Sequence, residues 1–293
     1  MVYHSQRCYP VKSRNQYANT MGIKLILPEK IDIKILEKNE NFMKFIISNI
    51  NPAIANTIRR ILISEIPIFA IDDVIILENT SILNDEILAH RLGLIPLKSD
   101  PTYSLKDRDK IAIRLSLNVS ADENKRTIYS GDLVSDDPHI VPVYKNIPIV
   151  KLEKGQKIVL EAYAKLGIGK EHSKWQAVST ATYKYKPMIT IDFKKCEICG
   201  DCVRVCPKNI LFLDKDKIEI KNELECSLCE ACIEACPVNA IKVIGDKENI
   251  IFTIETTGSL SAEDAFYKSI EVIREKVNQF VEELKKIETG ENK

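Results

Sequence analysis

One segment of the chain leaves little freedom in what it can become. Cys196, Cys199, Cys202 and Cys206, followed by Pro207, repeat 30 residues later as Cys226, Cys229, Cys232, Cys236 and Pro237. Asn209 and Asn239 follow in step, then Ile210 and Ala240. Self-similarity at a fixed offset means two copies of one supersecondary unit, expected to pack about a pseudo-twofold axis. Three cysteines, each separated by two residues, can wrap a loop around one centre. The proline after the fourth fixes φ and ends the short element that carries it. Nine cysteines in a small secreted chain would suggest disulfides. Here eight sit in the two arrays, only Cys8 stands apart, and nothing addresses the chain for export. A reducing location with metal-ligating thiolates is the expectation.

Each array reads C-x2-C-x2-C-x3-C-P, and this resembles the iron–sulfur run of bacterial-type ferredoxins. The resemblance implies two 4Fe–4S clusters, with a 3Fe–4S form as the expected oxidation product. It also implies an exchange of fourth ligands. Cluster one takes Cys196, Cys199, Cys202 and Cys236; cluster two takes Cys226, Cys229, Cys232 and Cys206. Backbone amides of the tight loops would donate to sulfur and tune the potential. The competing reading is two four-cysteine zinc sites. Zinc sites usually supply two separated C-x2-C knuckles; the third cysteine and the C-P step are not needed for zinc.

The rest of the chain carries no catalytic constellation. No G-x-G-x-x-G opens a helix after a strand, and "KLGIGKEHSK" lacks the P-loop spacing. No G-x-S-x-G is present, and His4, His90, His139 and His172 are scattered without a metal-binding pair. A length of 293 residues suggests about two domains, with a discontinuous third allowed. The formal net charge is zero, so there is no basic footprint for direct nucleic-acid binding. No run of 18 apolar residues marks a membrane span. Residues 1–20 contain Arg7, Lys12 and Arg14, no acid and no apolar signal core, and are expected to form a disordered leader.

Along the chain, residues 23–50 alternate as two strands about a turn at "KNEN", with Ile31, Ile33 and Ile35 on one face. Asn51 is a plausible N-cap with Pro52 at the first helical position. Ile54, Ile58, Ile61 and Leu62 then share a helical face, with Arg59 and Arg60 beside it. Residues 66–188 read as β-rich: "AIDDVIILENT", "KIAIRLSLNVS" and "KIVLEAYAKLGIG" are strands, and "DEILAHRLGLIPL" is a short helix ending in a turn. After the arrays, "NIIFTIETTGSL" is a strand. The longest helix follows, with Ser261 and Asp264 at capping-box spacing. Its stripe holds Ala262, Phe266, Ile270, Ile273, Val277, Phe280, Leu284 and Ile287.

"NPAIANTIRRILISEIP", "LAHRLGLIPL" and "FTIETTGSLSAEDAFYKSIEVI" together resemble the marks of the alpha-like subunits of DNA-directed RNA polymerase. With the ferredoxin-like insert, the pattern is similar to the archaeal, D-type branch of that family. The resemblance covers about residues 21–288. It implies an α+β chain: residues 21–65 and 248–288 form a discontinuous dimerisation domain, 66–188 an inserted β-rich domain, and 189–247 an inserted two-cluster ferredoxin-like domain. It implies pairing with a small alpha-like subunit, called L in archaea, and a non-catalytic role in transcription. With small subunits N and P, the pair would be the platform on which the large catalytic subunits assemble. Expected partner-facing positions are Ile54, Ile58, Ile61, Phe266, Ile270, Ile273, Val277 and Phe280; Arg59 and Arg60 would approach the large subunits. No direct nucleic-acid contact and no membrane contact are expected, and the location would be cytoplasmic. The alternative is a ferredoxin-domain subunit of an electron-transfer complex, which leaves the N-terminal and C-terminal marks unexplained.

Overall fold

The computed structural model describes residues 30–215 and 217–289. The leader expected at residues 1–20 and Cys8 lie outside them. Strands β1 (Asp32–Lys38) and β2 (Phe42–Ser48) form a hairpin. Asn39 builds its turn, its Oδ1 accepting from the N–H groups of Asn41 at 3.1 Å and Phe42 at 2.8 Å. Helix α1 (Pro52–Ser64) starts as the sequence suggests: Asn51 Oδ1 accepts from Ala53 N–H at 2.7 Å, and Pro52 opens the first turn.

A β-rich region follows. It contains β3 (Ile68–Asn79), helix α2 (Asp85–Gly93), β4 (Ala112–Ser120), β5 (Arg126–Tyr129), β6 (Val134–Ser135), β7 (Pro148–Leu152) and β8 (Lys157–Gly167). One sheet has the order β3-β8-β4-β6, and β5 pairs with β7. Period-two alternation on β8 sends Ile158, Leu160, Ala162, Ala164 and Leu166 inward. There they join Leu115 and Leu117 of β4 and Leu88 and Leu92 of α2 in one core. Trp175 seals the end of this sheet. Its ring lies 2.3 Å from where a Cβ on Gly167 would be, and its Nε1 donates to Lys165 O at 3.0 Å.

The frame of the molecule is a ribbon of two long antiparallel strands, β9 (Val178–Ile191) and β12 (Ile241–Thr256). Between them the chain forms α3 (Asp201–Arg204), a hairpin of β10 (Leu211–Asp214) and β11 (Lys217–Ile220), and α4 (Ala231–Glu234). At its near end the ribbon completes a sheet of order β1-β2-β12-β9. At its far end it carries the cysteine arrays. The register shifts between Asp246 and Ile250, where the two ends meet. The segment limits at 188/189 and 247/248 that the resemblance implies therefore fall inside continuous strands.

Helix α5 (Ala262–Thr289) closes the chain. The expected cap forms: Asp264 N–H donates to Ser261 Oγ at 3.0 Å, and that hydroxyl reaches Asp264 Oδ2 at 2.6 Å. Helices α1 and α5 cover one face of the near sheet. Cross-strand partners Phe45 and Phe252 stack at 5.7 Å, and Phe266 of α5 meets Phe45 edge-on at 5.0 Å.

Candidate dimerisation surface and cysteine lobe

The near sheet has two unlike faces. Paired residues across antiparallel strands point to the same side. The rows Ile35–Phe45–Phe252–Tyr183 and Ile33–Ile47–Ile250–Tyr185 thus line the helix side. The helices cover this side over β2, β12 and β9, where Phe45 and Phe252 are buried. They leave β1 open. Ile31, Ile33 and Ile35 are about half exposed, at 50%, 49% and 53%.

Helix α5 divides in the same way. Ala262, Ala265 and Ser269 are buried, and Phe266 and Ile273 pack against the core. Over residues 274–287 every position is exposed. That stretch, about 20 Å long at 1.5 Å per residue, presents Val277, Phe280, Val281, Leu284 and Ile287 along one stripe. Phe280 is 64% exposed. The positions singled out from the sequence therefore split. Ile54, Ile270, Val277 and Phe280 face outward, whereas Phe266 and Ile273 pack partly against the chain's own core. Ile58 and Ile61 are buried within the chain, at 3% and 4% exposed, because their side of α1 faces inward; this corrects their assignment as partner-facing. Arg59 Nε donates to Asn56 Oδ1 at 3.0 Å and Arg60 is exposed; among the described residues neither forms an ion pair.

At the far end, the two arrays repeat in backbone as well as in sequence. Ile198 and Leu228 both have φ 57°, Asn209 and Asn239 have φ 49° and 50°, and Gly200 and Glu230 have φ 79° and 61°. Each pair is offset by 30 residues. Left-handed residues at these points bend each loop back on itself. Each loop leads into a one-turn helix, α3 or α4, bearing Cys202 or Cys232.

The loops enclose two cavities. One is lined by Cys226, Cys229, Cys232 and Cys206. The other is lined by Cys196, Cys199, Cys202 and Cys236. All eight cysteines are free thiols. Among the described residues no three His, Cys, Asp or Glu side chains converge on a point that would hold a single metal ion. Four thiolates around one zinc would lie within about 4 Å of one another. Each cavity brings three thiols of one array to the fourth of the other.

The electrostatics follow from crowding. Burial pushes the Cys232 thiol up to about 11, helped by Cys226, Cys206 and Cys229. Burial raises Cys202 in the same sense, with Cys196, Cys199 and Cys236 adding to it. Exposed Cys229 goes the other way, because the Ala231 N–H and the Ser227 side chain favour its thiolate. The amides of Leu228 and Ala240 donate to Cys226 Sγ at 3.4 Å and Cys236 Sγ at 3.2 Å.

The lobe around these cavities has little core. Nine buried residues make it up; three are cysteines, and Ile189, Ile241 and Val243 come from the ribbon. It is fastened to the back of the near sheet, where the row Lys34–Ile46–Ile251–Lys184 lies. Lys184 Nζ donates to Leu224 O at 2.6 Å and Cys226 O at 3.0 Å. Lys44 pairs with Glu225 at 2.7 Å, and Glu223 Oε1 accepts from Ile189 N–H at 2.6 Å. Burial holds Lys184 below the usual lysine range. No motif marks these contacts in the sequence. The only signal is lysine alternating with tyrosine in "YKYK".

A sheet with helices on one side, an uncovered apolar edge and a helix that runs on past its own core defines a scaffold built to pair with another chain. The family of such scaffolds is shown by comparison. The model of the RNA polymerase Rpb3/Rpb11 dimerisation domain matches residues 44–277, and the chain belongs to this family. The DNA-directed RNA polymerase subunit Rpo3 of Pyrobaculum aerophilum is 41% identical over 259 residues, covering 85% of this chain and 94% of that protein. Rpo3 of Archaeoglobus fulgidus is 41% identical over 265 residues, covering 86% and 98%. Rpo3 of Methanosarcina acetivorans is 40% identical over 261 residues, covering 86% and 97%. No described helix is long and apolar enough to cross a membrane.

Proposed function

We propose that this chain is the larger alpha-like subunit of an archaeal RNA polymerase. It pairs with a small L/Rpb11-like subunit and serves as a non-catalytic platform in the cytoplasm. The observation that carries the reading is the uncovered apolar surface flanking the family-matched residues 44–277: β1 and the outer half of α5. An isolated helical stretch of this length is marginal in water. Burying residues such as Val277, Phe280 and Leu284 stabilises a pair by roughly 1.5–3 kcal/mol each, before the cost of association. Small subunits N and P and the large catalytic subunits complete the assembly, with Arg59 and Arg60 on the large-subunit side. Direct nucleic-acid contact is left to the large subunits.

The far lobe holds two 4Fe–4S clusters in this reading. What supports it is that each cavity brings together three thiols of one array and the fourth of the other. Such clusters would supply a cationic iron core that binds thiolates and so stands in for the apolar core the lobe lacks. Cys196, Cys199, Cys202 and Cys236 would hold one, and Cys226, Cys229, Cys232 and Cys206 the other. The lobe's own residues shape the loops, shield the buried thiols and present amides to sulfur.

Anaerobic co-purification with iron and sulfide counted on the isolated species tests both statements. Recovery in a tight pair with a small alpha-like subunit, carrying about eight irons, is the expected result. Recovery alone or with a flavoprotein, carrying the same iron, would return the chain to the electron-transfer reading.

A further inference from the structure

The two cysteine arrays match in sequence and in backbone, yet only the second is hydrogen-bonded and ion-paired to the dimerisation sheet. The stretch entering the second array, residues 223–228, is tied to the near sheet at three points, and a fourth tie reaches the far part of β9. Lys184 of β9 donates to the carbonyls of Leu224 and Cys226 at 2.6 and 3.0 Å. Lys44 of β2 pairs with Glu225 at 2.7 Å, and Glu223 receives the Ile189 N–H at 2.6 Å. Leu228 then fits a notch at Gly245. A Cβ there would stand 3.1 Å from Leu228 Cδ1 and 2.9 Å from Tyr185 Cβ, so only glycine lets the loop approach the ribbon. The corresponding stretch of the first array has no such ties. Among the described residues no hydrogen bond or ion pair joins residues 196–206 to β1, β2 or the 178–186 part of β9. Its neighbours belong to the lobe itself, as with Leu213 beside Gly200.

We infer that the lobe is coupled to the dimerisation sheet through one of its two sites. Order in the 226–229 loop and order in β2 and β9 are linked through Lys184 and Lys44, while the 196–199 loop is free of that link. Lys184 is the positioning residue. Its ammonium, half buried on the back of the sheet, is satisfied by carbonyls that face it only while the loop keeps its shape. When the loop loosens, the charge loses both partners and the back face of the sheet loses its cover. This inference rests on the cluster reading for what orders the loop; the contacts themselves do not. The first site can therefore be emptied without report to the partner-binding sheet, and the second cannot.

The test is hydrogen exchange on the full chain paired with its small subunit, prepared anaerobically, with iron counted in each sample. Lys184→Met keeps the stem and removes the donor. Expected is faster exchange, by about tenfold or more, in residues 223–229 together with 42–48 and 182–189, and no change in 196–202. Because this variant is free of the ligands, it tests the link whether or not iron is present. Equal loosening of both arrays, or loosening of neither, would overturn the inference. Cys229→Ser and Cys199→Ser, both at exposed positions, supply the second readout. Each is expected to lose about half the iron, and only Cys229→Ser to loosen β2 and β9. Loss of iron from both with identical exchange in the sheet would overturn the coupling and leave the cluster reading standing. Full iron in both, with the Lys184→Met pattern as expected, would leave the coupling standing and remove the cluster reading.

Discussion

The two ends of the β9–β12 ribbon are held by different means. The near end has twenty buried residues in its core, including Phe45, Phe252 and Ile254, beneath two capped helices. The far end has nine, and three of those are thiols. A unit of about 60 residues with so little apolar burial is marginal on hydrophobic packing alone. One pair of strands thus joins a region with a large apolar core to one whose small core is one-third thiol. The near end has the opposite shortfall: its core is complete, but its surface is not, since β1 and the outer half of α5 lack cover.

The sharpest break of this contrast is a core truncation. Phe252→Ala removes a ring that is fully buried between Phe45 and Tyr183. It should cost roughly 3–5 kcal/mol in urea unfolding of the near end. Residues 196–236 should be affected only through the ribbon. A loss below about 1 kcal/mol would mean that the near end is not held by this core.

The second prediction concerns the unfinished surface. Val277→Asp with Phe280→Asp should leave the unfolding midpoint of the chain alone within about 0.5 kcal/mol, as expected for exposed positions. The same pair should weaken binding to a small alpha-like subunit by roughly 100-fold, measured by titration calorimetry. Equal losses in stability and in binding would show that the outer half of α5 supports the chain's own fold.

The third compares thiols within the far end, in protein freed of iron. Cys232 is raised from 9.0 to about 11, whereas Cys229 is lowered. Alkylation at pH 8 should mark Cys229 first and Cys232 slower by at least roughly 100-fold, read by mass spectrometry. The sign for stability follows. A folded-state thiol with a raised pKa keeps its proton when the unfolded chain has lost its own. In iron-free protein the protonated Cys232 therefore contributes stability that is fully present below pH 9 and lost as pH rises toward 11. A flat profile across that window would contradict the burial of Cys232.

The smallest effect separates the two copies of the repeat. Glu230 sits at φ 61° where the first copy has Gly200. Glu230→Gly should stabilise the lobe by up to about 1 kcal/mol, because glycine carries no left-handed penalty. Destabilisation would mean that the Glu230 side chain has a role the geometry does not show.

Much of this architecture was legible in the sequence where the signal was local. Asn51 and Pro52 cap α1, Ser261 and Asp264 cap α5, and the alternation over 157–167 is the strand it suggests. The cysteine spacing gave the repeat. What escaped was non-local. The strand read from the sequence begins at Asn249, yet pairing with β9 draws residues 241–248, with Gly245, Asp246, Lys247 and Glu248, into the same strand that reaches Thr256. The partner-facing set that the resemblance implies placed Ile58 and Ile61 beside Val277 and Phe280, because an apolar helical stripe looks alike whether it meets its own sheet or another chain. Lys44 and Lys184 carried no motif at all; their role appears only when the far lobe folds back to the sheet.

Whether the outer half of α5 waits for a partner is the central question, and one comparison addresses it directly. Hydrogen exchange should be followed across residues 262–287, first in the chain alone and then in the chain paired with the small alpha-like subunit. Slow exchange is expected over residues 262–273 in both states. Residues 274–287 should exchange rapidly alone and become protected in the pair, together with β1. Exchange at 274–287 that is unchanged by the partner would contradict a role for this half-helix in pairing.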